Sequence, residues 1–279
     1  MKDIQTLIPD IYHLLDGDTD HECSEEFLEV AAEQFKDTLR RRLRSQDSKG
    51  AIRFSSLGKP ACQVWYGINK PEAGEKITPQ THMKFMYGDI LEPLLLFLAK
   101  EAGHDVSQEQ AEVERDGVLG HIDAVIDGHV VDVKSASSFA FKKFAENRVQ
   151  DDDPFGYIKQ LSGYCHELNK PGAFLAIDKE SGGLCLSPLD PDLCAENPPG
   201  PAIAEQRESV KLDSVPRCFS PIPDGKSGNE KLDLNCSYCA YKFDCWPGLR
   251  AFNYSGKPRF LTHVAREPDV YEFPPPAKG

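Results

Sequence analysis

The chain has 279 residues, 40% of them hydrophobic, and a formal charge of −13. That length allows one sizeable α/β core with peripheral additions, and the lack of any run of about 18 apolar residues excludes a membrane-spanning helix. The net charge does not exclude a polyanionic partner, because binding depends on where charges sit rather than on their sum.

The N-terminus, MKDIQTLIPD, has neither the basic nor the apolar part of a signal peptide, so a cytoplasmic location is expected, the host cytoplasm for a viral protein. In that compartment nine cysteines, an odd number, read as thiols or metal ligands rather than disulfides. Residues 1–35 hold ten acids against one base, and residues 36–53 hold seven bases against two acids. The basic run is either a solvated helix face or a surface for phosphates.

Ser24 followed by Glu25 and Glu26 marks a helix start, and Phe27, Val30, Ala31, Phe35, Leu39 and Leu43 recur at helical spacing, which predicts a helix over 25–45. The stretch AIRFSSLGKPACQVWYG reads as a loop. A second helix is expected over 81–102, ending at Gly103 and interrupted or restarted by Pro93. From 106 to 136 the period changes to two, with turns at Asp116-Gly117 and Asp127-Gly128, the pattern of an antiparallel meander. Helices over 138–147 and 154–169 follow, then a hairpin of FLAID and LCLSPL. Residues 188–233 are rich in Pro, Gly and Asp around one helix near 201–212, and the tail EFPPPAKG is expected to be extended and solvated. The fold class is mixed α/β, a central mixed sheet with an antiparallel meander flanked by helices. The partition is an acidic segment and basic helix (1–50), a core (51–190), a connecting region (191–235) and a cysteine motif with tail (236–279).

The meander carries acids that a plain hairpin does not need. If Asp127-Gly128 is a two-residue type I′ turn, Ile126 faces His129, Val125 faces Val130, Ala124 faces Val131, and Asp123 falls opposite Asp132. Two carboxylates on Cβ atoms about 5 Å apart destabilise a sheet unless one takes a proton or a divalent cation lies between them. Lys134 shares the face of Asp132, while Val131 and Val133 point to the core. An acid beside an acid-x-Lys suits metal-assisted phosphodiester hydrolysis, in which the cation activates water and the ammonium offsets developing charge. A solvent-facing hairpin with ordinary polar residues is the competing reading of this triplet.

Glu92, in Gly88-Asp89-Ile90-Leu91-Glu92, offers a third carboxylate, and Gln160 and Tyr164 stand at i and i+4 on one helix face. The ordered set G-x-x-x-E, G-x-x-D, D-x-K and Q-x-x-x-Y over residues 88–164 resembles the PD-(D/E)XK nuclease superfamily, in the branch of λ exonuclease, RecB-type nuclease domains and Cas4. The resemblance implies a restriction-endonuclease-like core. It also implies Mg²⁺ or Mn²⁺ on Glu92, Asp123, Asp132 and the Val133 carbonyl, catalysis by Lys134, and Gln160 and Tyr164 orienting the lysine and contacting DNA. Asp132 stands where many relatives have Glu. Glu92 stands where Cas4 and RecB types have His, a choice closer to λ exonuclease.

Near the C-terminus Cys236-x-x-Cys239-x5-Cys245 places three thiolates within ten residues, and a tetrahedral metal or a cluster needs a fourth. Cys62 is the candidate, and its spacing resembles the iron–sulfur staple of Cas4, AddB and Dna2 nucleases. That resemblance implies a structural [4Fe-4S] cluster tying the two ends of the chain together; Zn²⁺ at the same four cysteines, or reduced cysteines without metal, are the alternatives. Cys23, Cys165, Cys185, Cys194 and Cys218 lack such spacing and are expected to be structural or incidental.

The expected function is a Mg²⁺- or Mn²⁺-dependent deoxyribonuclease, an exonuclease on single strands or duplex ends in recombination, repair or replication. DNA phosphates would meet Arg40, Arg41, Arg44, Arg53, Ser55, Ser56, Lys142 and Lys143, with a simple loop role the alternative for Ser55 and Ser56. A Cas4-like trimming subunit of a larger complex, with a recombination or replication protein as partner, is one alternative. A non-catalytic iron–sulfur or zinc nucleic-acid-binding module is the other.

Overall fold

The computed structural model describes residues 2–17, 21–44 and 50–274. In chain order the first elements are α1 (Leu7–Leu15), α2 (Glu25–Leu43), α3 (Ala61–Asn69), α4 (Pro79–Glu101), β1 (Val106–Ser107), β2 (Glu112–Arg115), β3 (Val118–His121), β4 (Ala124–Ile126) and β5 (His129–Ala136). There follow α5 (Ser138–Ala145), α6 (Tyr157–Leu168), β6 (Gly172–Asp178), β7 (Leu184–Pro188), α7 (Pro191–Glu196) and α8 (Pro199–Val210). The last are β8 (Ile222–Pro223), β9 (Glu230–Lys231), α9 (Leu234–Ser237), α10 (Lys242–Cys245), β10 (Arg250–Tyr254), β11 (Lys257–His263) and β12 (Glu272–Phe273). Packing divides the chain into two units, one within 1–47, 53–58 and 78–202, the other within 48–52, 59–77 and 203–279.

The first unit is built on a five-stranded sheet in the order β1-β4-β5-β6-β7. β5 and β6 run parallel and the other neighbours antiparallel, so the expected mixed α/β class holds. Leu7 and Ile11 of α1 and Leu95, Leu96 and Ala99 of α4 are buried against Ala124, Ile126, Val131 and Leu175 of the sheet. Each fully buried Leu or Ile contributes about 1.5–3 kcal/mol of transfer free energy. Phe174 of β6 packs against Phe144 of α5 at 5.5 Å and Tyr157 of α6 at 6.5 Å.

The meander is divided. β1 pairs directly with β4, while β2 and β3 form their own two-stranded ladder. The physical cause lies between β1 and β2, where Gln108 and Gln110 both take φ of +54° and bend the chain away from the sheet. Helix α1 was not expected within the acidic segment; its Pro9 sits in the first turn, where a missing N–H costs little. Residues 61–69 are helical rather than loop, and the connecting region holds two helices instead of one.

Helix α4 runs through Pro93, which cannot donate to the carbonyl of Asp89. Thr38 of α2 is 5% exposed and its hydroxyl donates to that carbonyl over 3.5 Å. The interruption thus seats α2 on α4 one turn before Glu92.

In the second unit the sheet order is β12-β10-β11-β9-β8, and Leu232, Leu249, Ala251, Phe252 and Leu261 are buried in it. The β10–β11 hairpin turns at Ser255-Gly256 (φ +52° and +80°) within what reads in sequence as a tail. Trp65 of α3 donates its indole N–H to the Leu212 carbonyl at 2.8 Å. Residues 45–49 of the basic run and 275–279 of the proline-rich tail lie outside the described residues. Among the described residues no helix is long and apolar enough to cross a membrane.

Candidate functional site

The hairpin register is the expected one: Ala124 pairs with Val131, Val125 with Val130 and Ile126 with His129. Asp127 and Gly128 have φ of +45° and +82°, as a type I′ turn requires. The turn is anchored by the Asp127 carboxylate, 2.5 Å from Nδ1 of buried His104 and accepting the Asp105 N–H at 3.1 Å. β4 begins only at Ala124, so Asp123 stands just outside the ladder. Its Oδ2 reaches across to accept the Val133 N–H at 2.6 Å.

Asp132 is 3% exposed, and Lys134 Nζ lies 2.5 Å from its Oδ2. This contact has the distance of an ion pair but not the angles of a hydrogen bond, so Oδ2 is a buried oxygen without a hydrogen-bond donor. Gly88 of α4 faces β5, where a Cβ would stand at an ordinary contact distance of 3.4 Å from Ser135 Oγ. Four residues on, Glu92 accepts from the Gln110 side-chain amide at 2.5 Å.

These acids sense one another. Desolvation pushes the Glu92 carboxyl up to about 7, with the charges of Asp132 and Asp89 adding to the effect. Asp123 is raised well above the ordinary carboxylate range by desolvation, then by Glu92 and Asp132. Burial opposes the charge on Lys134, but Asp132 and Asp123 hold its ammonium above the ordinary lysine value. Three carboxylates therefore share a poorly hydrated region with one ammonium, a charge imbalance that protonation or a cation relieves.

Helix α6 supplies the wall. Asp153 starts it by accepting the Tyr157 and Ile158 N–H groups at 3.0 and 2.9 Å. The Tyr157 ring lies 4.7 Å below the Lys134 ammonium, a cation–π contact. Gln160 hydrogen-bonds the Tyr164 hydroxyl, whose pKa burial raises. Tyr164 is 3% exposed and stacks on Phe54 at 5.2 Å. Gly120 makes the stack possible, since a Cβ there would stand 2.6 Å from Phe54 Cβ and 2.8 Å from the Tyr164 ring.

The expected phosphate contacts separate into groups. Arg42 holds Asp89 with two bonds at 2.6 and 2.8 Å, and Arg41 reaches the same carboxylate at 3.1 Å. The Arg41 charge also acts on Glu92, so the basic end of α2 borders the acid group. Arg40 is turned to Glu33 and Asp37 of its own helix. Arg44, Arg53, Ser55 and Lys142 are exposed, and Lys143 pairs with Asp152 at 2.5 Å. Ser56 is 7% exposed and its hydroxyl donates to the Arg53 carbonyl at 2.7 Å, the loop role that was the alternative to a phosphate contact. His121, on β3, faces Glu112 at 3.6 Å.

Five cysteines of the second unit line one cavity: Cys62, Cys218, Cys236, Cys239 and Cys245. Cys62 and Cys218 form a disulfide, and the Cys62 N–H points at Cys218 Sγ. This pairing differs from the expectation of free thiols, and it brings Cys218, expected to be structural or incidental, to the same cavity as the four motif cysteines. Burial lifts the Cys236 thiol to about 11, with Cys239 and Cys245 adding to the shift, and burial raises those two as well. The sulfur donors suit a thiophilic metal or cluster, with Cys62 joining them only once its disulfide is reduced.

Oxygen donors gathered about the buried Asp132 likewise suit a hard divalent cation. Neither set is closed, however. Among the described residues, His21, Cys23 and Glu101 are the one group of three such side chains with all ligand atoms within 4.8 Å of one another. In the acid group each carboxylate is turned to its own partner, Gln110, Val133 N–H or Lys134. Sequence reasoning missed Tyr157, although it lies one helical turn before Gln160; it missed Phe54 and Cys218, for which no spacing gave a signal.

No protein-family model and no curated protein matches the sequence. Among solved structures the chain is similar to the crystal structure of SSO0001, at 16% identity, covering 77% of this chain and 96% of that one, with a TM-score of 0.44.

Proposed function

We propose that the protein is a divalent-metal-dependent DNA nuclease with a restriction-endonuclease-like core, acting on single-stranded DNA or duplex ends. The observation that carries this reading is the shared region of Glu92, Asp123 and Asp132 around a lysine fixed from two sides. Such a group is costly in a purely structural role and suited to a cation and a phosphate. A bound Mg²⁺ or Mn²⁺ supplies Lewis-acid chemistry, lowering the pKa of water and neutralising phosphate charge. Glu92, Asp123 and Asp132 are the side chains that would hold it, with the Val133 carbonyl beside them.

The protein's own groups do the rest. Asp132 and the Tyr157 ring hold the Lys134 ammonium charged and in place, where it offsets charge growing on the scissile phosphate. Gln160, Tyr164 and Phe54 fix the wall behind it. Arg41 beside Glu92 and the exposed Arg44 at the end of α2 offer phosphate contacts. Within this reading Cys236, Cys239, Cys245 and, once reduced, Cys62 hold a [4Fe-4S] cluster or Zn²⁺ in a structural role.

The test is incubation of the pure protein with DNA strands labelled at either end, single- and double-stranded, with Mn²⁺ and with EDTA. Shortening of the label in Mn²⁺ alone is expected, and the order of products gives polarity. Intact DNA under every condition, with binding retained, would instead favour the non-catalytic binding module.

A further inference from the structure

Outside the acid group, the surface that leads to Lys134 has an unusual composition. Phe139 is 76% exposed on α5, and Phe155 is 46% exposed just before α6. Burying a Phe side chain is stabilising, so two exposed rings in one neighbourhood forgo part of that gain. They are linked through side chains. Lys143 Nζ lies 5.6 Å from the Phe139 ring centroid and 2.5 Å from Asp152 of the loop that carries Phe155. Phe155 stacks on Tyr157 at 5.5 Å, and Tyr157 lies 4.7 Å from the Lys134 ammonium. The sequence of groups is therefore Phe139, Lys143, Phe155, Tyr157, Lys134.

The acids of the loop, DDDPF, are each engaged, although Asp151 and Asp152 stay partly exposed. Asp151 pairs with Arg148 at 3.5 Å, Asp152 with Lys143, and Asp153 caps α6. Gly156 follows with φ of +73° and packs backbone to backbone on Gly58, where any Cβ would overlap. Phe155 is thus displayed from a loop fixed at both sides, and its exposure is not that of a loose segment.

From this arrangement we infer that Phe139 and Phe155 are stacking platforms for unpaired bases, with exposed Lys142 on the intervening phosphate and Lys143 held to Asp152 beside them, on a track that delivers single-stranded DNA to Lys134. Alternating cations and exposed aromatic rings suit single strands, because the faces of the bases are free there and hidden in a duplex. The inference rests on the nuclease reading and specifies its substrate as single-stranded or frayed DNA.

The experiment measures binding, not cleavage. A fluorescein-labelled 20-mer of thymidylate, an abasic strand of equal length and a 20-base-pair duplex are titrated with full-length protein in Ca²⁺, following anisotropy. Phe139→Ala and Phe155→Ala are each expected to weaken thymidylate binding about 5- to 100-fold, the usual effect of losing one stacked ring. Both should leave duplex binding little changed, and Phe139→Ala should leave the thermal midpoint little changed. Phe155→Ala is compared per folded molecule because it also loses its stack on Tyr157, and Phe139→Trp should restore binding. The abasic strand should bind the unmodified protein weakly and lose nothing further on either substitution. If the unmodified protein binds thymidylate and both alanine variants bind it equally well, the track is wrong. A change of sedimentation in the variants with unchanged DNA binding overturns it in favour of a protein contact at these rings. If the unmodified protein binds none of the three strands, the nuclease reading itself fails.

Discussion

Lys134 and Glu92 show how single side chains set the chemistry. The lysine keeps its charge in a poorly hydrated place because Asp132 lies 2.5 Å away and the Tyr157 ring faces it from the other side. Glu92 has the opposite problem, being desolvated and crowded by acids until its carboxyl titrates at about 7 against an ordinary 4.5. Its folded value is raised, so the sign is fixed: the folded state bears no penalty below the ordinary value, and stability is lost as pH rises through about 7. In EDTA the thermal midpoint should fall between about pH 5 and about pH 8, and Glu92→Gln should flatten that fall. Mn²⁺ should raise the midpoint of the unmodified protein at the higher pH and raise that of Glu92→Gln less. Identical pH profiles for the two proteins in EDTA would show that Glu92 is not buried among acids.

At the scale of elements, the β4–β5 hairpin was readable because a two-residue Asp-Gly turn leaves one register, and that register sets the face of every residue on β5. Asp132, Lys134, Val131 and Val133 followed directly. The position of α6 was readable only in part: the i, i+4 spacing put Gln160 and Tyr164 on one face, but the stack of Tyr164 on Phe54 depends on a segment more than a hundred residues earlier. Gly120 holds that stack open, at 2.6 Å between Phe54 and an added Cβ. Gly120→Ala should therefore cost about 1–3 kcal/mol by overpacking, read from denaturant midpoints, and should lower nuclease activity per folded molecule as the wall behind Lys134 shifts. A variant of unchanged stability would mean that Phe54 and Tyr164 can move apart freely. The division of the meander was not legible, since two glutamines at positive φ carry no compositional signal for a bend.

For the whole molecule, the order of helical and strand periodicities indicated the class, the placement of charges along the chain showed their unevenness, and the cysteine spacing pointed to one sulfur site. It did not reveal that Cys218, 156 residues from Cys62, joins that site through a disulfide, because pairing between distant cysteines is a property of the packed chain. Protein purified without oxygen and reductively loaded should be brown with broad visible absorbance if the thiols hold a cluster, and a colourless preparation with stoichiometric zinc would assign the site to zinc. The cysteine site and the acid group stand or fall separately, and the functional reading depends on the second. Its most direct test compares Mn²⁺-dependent degradation of end-labelled DNA by the unmodified protein, Asp132→Asn and Lys134→Met, each checked for an unaltered circular dichroism spectrum. The expected result is loss of at least about a hundredfold in rate for both variants, the scale of removing one electrostatic contact to a transition state. Degradation by either folded variant at the unmodified rate would contradict the assignment of this site.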